Sequence, residues 1–83
     1  MIVQVFEVYS DDCDCNDYEE GELIRVGEDA VQASYAILDD PDQDPEDSER
    51  RGGLTPGGEY VFRYGRLMGR VGGRWVDWEA KEF

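Results

Sequence analysis

Asp12, Asp14 and Asn16 stand at alternate positions, the Asp-x-Asp-x-Asn opening with which a calcium loop aims oxygens at one ion. The pattern then breaks. Asp17 stands where the loop needs glycine, and Leu23 where it needs a bidentate glutamate. Asp40, Asp42 and Asp44 repeat the alternation, but Pro45 follows and no closing acid has the required spacing. Both triplets are therefore weak divalent-cation candidates. Cys13 and Cys15 bring two thiols, half of what structural zinc wants, and the chain has no histidine to complete a set. Neighbouring carboxylates should raise their pKa, so neither is a good nucleophile. A disulfide ring closed across one residue would be strained, which suits free thiols in a reducing, cytoplasmic setting. No serine or cysteine has a histidine base. Gly52-Gly53 and Gly72-Gly73 lack the spacing and the following lysine of a phosphate loop. No catalytic residue and no cofactor is expected.

What remains is the chemistry of charge. The 83 residues hold 21 acids and 8 bases, a formal charge of -13, which argues against direct nucleic-acid binding. Residues 1–49 carry 17 acids and one base, Arg25, whereas residues 50–83 carry four acids and seven bases. Two clusters produce this asymmetry. The first is Asp11, Asp12, Asp14, Asp17, Glu19, Glu20 and Glu22; the second is Asp39, Asp40, Asp42, Asp44, Glu46, Asp47 and Glu49.

Carboxylates held in a row resemble the phosphates of a duplex, and a cationic groove built for nucleic acid would accept them. The expected partner is thus a basic protein with a nucleic-acid-binding groove, which such a module would occupy and inhibit. The surface is similar in type to decoys that phage and mobile elements direct at nucleases and defence complexes. Tyr18 and Trp75 are the expected apolar anchors. A competing expectation is a small structural or assembly domain with a halophilic surface. Seven arginines against one lysine, Lys81, fit it, although a halophilic coat would be spread evenly.

The elements that must position these groups follow from periodicity. Residues 2–9 read as a strand with two largely apolar faces, Ile2, Phe6 and Val8 on one and Val3, Val5 and Tyr9 on the other. Such a strand expects cover on both sides. Residues 22–26 fit a second strand antiparallel to the first. Residues 28–38 read as the one helix, with Ala30, Val31, Ala33, Ser34, Ile37 and Leu38 at helical spacing. The acidic runs read as loops, the second a long Gly/Pro-punctuated connection over 39–58, functional or disordered.

Residues 59–64, 67–71 and 74–79 read as a three-strand meander with turns at 65–66 and 72–73. In that register Phe62 opposes Gly69 and lays its ring across it. Val71 opposes Arg74, and Gly69 opposes Val76. The edge at 74–79 could pair with a second copy. The expected order is β-β-α-β-β-β over one small domain, 1–83. That is an α+β fold with an antiparallel or mixed sheet and one helix on one face. A partly closed small β-barrel with one helix is the alternative. No segment is apolar enough to span a bilayer, and no secretory signal is expected.

Overall fold

The computed structural model describes residues 1–80. Its strands are β1 (Ile2–Tyr9), β2 (Asp12–Glu19), β3 (Leu23–Arg25), β4 (Gln32–Leu38), β5 (Arg51–Leu54), β6 (Glu59–Arg63), β7 (Arg66–Val71) and β8 (Arg74–Asp77). A single 3-10 turn, Pro45–Asp47, interrupts the β4–β5 connection. The strands form two four-stranded sheets, β2-β1-β4-β5 and β3-β6-β7-β8, with every pairing antiparallel. Val3, Val5, Tyr35 and Ile37 from the first sheet share one buried core with Ile24, Tyr60, Phe62, Leu67 and Trp78. Two sheets facing one core are a sandwich, not a closed barrel.

The expected α+β fold is therefore overturned. Among the described residues there is no α-helix, and the segment read as helix is β4. Ala33 and Ile37 satisfy a period of two as well as helical spacing, Tyr35 between them satisfies only the period of two, and all three point into the core. Val31, part of the supposed helical stripe, is 71% exposed. An isolated helix of about 11 residues is marginal. Beside it β1 offers a free edge, and pairing from Ile2↔Leu38 to Val8↔Gln32 satisfies both backbones.

Three further corrections concern pairing. The first acidic run is not a loop: it is β2, hairpinned to β1 from Tyr9↔Asp12 to Ile2↔Glu19. Ser10 opens that turn at φ 59. β3 pairs with β6, not with β1. The first meander turn is Tyr64-Gly65, both at positive φ, so Phe62 opposes Leu67 and Tyr60 opposes Gly69. The shift is of two residues, so Tyr60, Phe62 and Leu67 still face the core, while Tyr64 falls in the turn and is exposed. The second turn, Gly72-Gly73, and the pairs Val71↔Arg74 and Gly69↔Val76 stand as read. Trp78, not Phe62, covers Gly69, where any Cβ would collide with the indole.

Residues 39–58 contain both the 3-10 turn and β5. They are tied down locally. The Ser48 hydroxyl donates to the Ile37 carbonyl at 2.6 Å from a buried position, and the Ile37 N–H donates to Arg50 O. No helix among the described residues is long and apolar enough to cross a membrane.

Candidate functional site

The ladder decides which acids share a face, because residues paired across strands point the same way. On the core-side face of the first sheet, Asp12, Asp14, Asn16 and Tyr18 of β2 stand opposite Tyr9, Glu7, Val5 and Val3. On its outer face, Cys13, Cys15, Asp17 and Glu19 stand opposite Val8, Phe6, Gln4 and Ile2. The strand is exposed at every position but Tyr18, which is half-buried. Asp11 lies in the hairpin turn, and Glu20 and Glu22 follow β2. The Glu22 carboxylate accepts the Glu19 N–H at 2.5 Å.

The second cluster leaves β4 at Leu38, which pairs with Ile2, itself paired with Glu19. The end of the first cluster and the start of the second therefore lie at one end of the same sheet. Asp39, Asp40, Asp42, Asp44, Glu46, Asp47 and Glu49 are all exposed. Asp40 and Asp44 use one oxygen each on the N–H two residues on, that of Asp42 at 2.9 Å and that of Glu46 at 3.0 Å. Asp44 thereby caps the 3-10 turn.

None of these fourteen acids is in an ion pair among the described residues. Arg25 and Arg70 pair with Glu59, Arg66 with Asp77, and Arg50 with Glu79. The Arg50 guanidinium grips both Glu79 oxygens at 2.6 Å and also donates to Gly65 O. Every ion pair among the described residues is thus made to Glu59, Asp77 or Glu79, acids of the second half, and Arg51, Arg63 and Arg74 are in none.

Between the acids lies an apolar surface. The outer face of the first sheet carries Phe6 and Val8 with Gln4, which donates to Asp17 at 2.9 Å, all half-buried, then half-buried Ser34 and buried Ala36 of β4. The 3-10 turn packs over the Ala36 end and leaves a cleft of about 400 Å³ lined by Phe6, Ser34, Ala36, Pro45, Glu46 and Arg51. Sequence reasoning named none of these as functional. The signal was present, since β1 is apolar on both faces, but the helix expected to cover the second face is itself a strand of the sheet.

Tyr18 packs against the core, and its hydroxyl pKa is raised by burial and then by Glu7 and Glu22. Trp75 is 38% exposed and stands beside Arg70 on the outer face of the second sheet, away from both clusters. The two expected anchors are therefore not on the face that separates the acids. Cys13 and Cys15 are free and exposed, side by side on that face. Burial raises the Cys15 thiol, and the charges of Asp17 and Cys13 add to it.

Among the described residues no group of three or more Cys, Asp or Glu could hold a metal ion. In β2 the reason is geometric: Asp12, Asp14 and Asn16 are spaced by about 6.8 Å per pair along an extended strand, too far to converge on one cation. Glu7 is the one buried carboxylate among the described residues, and it accepts from Tyr9 Oη at 2.8 Å and Gly27 N at 2.7 Å. Those bonds fix the Tyr9 end of β1 to the β3–β4 connection. No family model, curated protein or solved structure matches the chain.

Proposed function

We propose that this chain is an acidic protein-binding module whose partner is a basic protein, one with a groove that otherwise holds nucleic acid. The observation that supports the reading is the absence of ion pairs on all fourteen clustered acids among the described residues, while the four arginines that do pair go to Glu59, Asp77 and Glu79. Acids kept for stability would be expected to find those arginines. Unpaired acids, of which the end of the first cluster and the start of the second meet at one end of the first sheet, keep their field for a partner, raise the rate of encounter at low salt and repel nucleic acid.

The test is capture on the immobilised chain, followed by competition. Asp→Asn changes at 40, 42, 44 and 47 remove charge but keep the side-chain oxygens that tie the connection. They should lower capture of a basic nucleic-acid-binding protein without lowering the melting temperature. Duplex DNA should displace that protein. A captured partner that DNA cannot displace would refute the nucleic-acid mimic. Capture unchanged by the four substitutions would remove the second cluster from the contact.

A further inference from the structure

We infer that the outer face of the first sheet is the contact surface of this module, and that it receives a basic amphipathic segment of the partner. The inference rests on the acidic-module reading and adds where and by what chemistry the partner is held. β1 presents Phe6, Val8 and the uncharged Gln4 outward, and Ser34 of β4 continues the surface, while Ala36 beside it is already buried under the 3-10 turn. The two thiols Cys13 and Cys15 extend it across β2. An apolar centre bordered by charge is the anatomy of a protein interface.

The border is acidic along β2 and mixed at the 3-10 turn, where Glu46 stands with Arg51. Asp17 and Glu19 of β2 share this face, and Glu46 of the 3-10 turn lines the cleft at the other side. Arg51 is the one cation lining that cleft. β2 and β4 are two strand spacings apart, roughly 10 Å, close to the width of one helix or one side-chain-bearing strand. A segment with aliphatic residues on one side and arginines or lysines on the margin facing β2 matches the apolar floor and the acidic wall of Asp17 and Glu19, with Glu46 open to a further cation. A second copy does not match, because it would bring another charge of -13 and the same acidic wall.

Three synthetic peptides of about 12 residues test this at physiological salt. One alternates arginine with leucine, one is arginine alone, and one alternates glutamate with leucine. Titration calorimetry gives affinity, and iodoacetamide labelling of Cys13 and Cys15 reports where the peptide sits. The arginine–leucine peptide should bind at least tenfold more tightly than arginine alone and should slow labelling of both thiols. Ser34→Arg and Phe6→Thr should each weaken it about tenfold or more, and Trp75→Ser should not.

If Phe6→Thr does not fold, Ser34→Arg carries the test, since its side chain points away from the core. Equal affinity for arginine alone with both thiols still reactive would overturn this face and leave the acidic module standing. No binding of either cationic peptide would sink both. Self-association by sedimentation, abolished by Ser34→Arg, would make a second copy the occupant and overturn the inference.

Discussion

At Gly69 the middle strand of the second sheet has no side chain, and the Trp78 indole lies in the vacant place. The same ring meets Tyr60 edge-on, centroids 5.0 Å apart, and its N–H donates to Gly53 O of the first sheet at 2.9 Å. One residue thus joins both sheets. Gly69→Ala must push that ring away and should lower stability by about 1–3 kcal/mol in urea denaturation. A change within error would mean the indole can move freely.

The Arg50–Glu79 pair is the second such joint. Burial pushes the Glu79 carboxyl up, but the Arg50 fork and the Leu67 N–H outweigh it, so it titrates below the ordinary range. A depressed folded-state pKa gives stability that is whole above the unfolded value, about pH 4.3, and is lost as pH falls through the folded one. Glu79→Gln should therefore be less stable than the parent at neutral pH, and the gap should narrow in acid. Urea melts of both proteins at about pH 7 and about pH 3 would show this; a constant gap would refute it.

At the scale of the element, β2 is the unusual strand. It is an edge with four acids in eight residues, types that strands disfavour. Charge on an edge also blocks pairing with further chains. Asp14 stands directly across from Glu7, so like charges oppose one another in the ladder. Asp14→Thr with Asp17→Thr should raise hairpin stability by about 0.5–1 kcal/mol and increase self-association. Thermal melts and sedimentation velocity read the two effects. A rise in stability with no change in assembly would mean the acids do not guard this edge.

At the scale of the molecule the charge is divided between layers. The first sheet's strands carry Glu7, Asp12, Asp14, Asp17 and Glu19 against Arg51, while the second sheet's carry five arginines against Glu59 and Asp77. Screening by salt acts most on exposed, unpaired charge. A domain shaped for a high-salt cytoplasm should gain several degrees in melting temperature between about 0.1 and 2 M potassium chloride. A binding module folds fully at the lower salt and loses its complex as salt rises. Melts across that range, beside one peptide titration, separate the two.

Charge asymmetry, the strand at 2–9, the Gly72-Gly73 hairpin and the alternation that turns Tyr60, Phe62 and Leu67 inward were legible in the residues, because each depends on composition, local alternation or a turn of two residues. Helix or strand at 28–38 was not, because Ala33 and Ile37 fit both periods and only the open edge of β1 settled the choice. β2 was hidden for the converse reason. Its composition opposes a strand, and the neighbouring β1 supplies the ladder that holds it. Order along the chain fixes how many carboxylates there are. Only the pairing of distant strands decides which of them border the uncovered apolar side of β1.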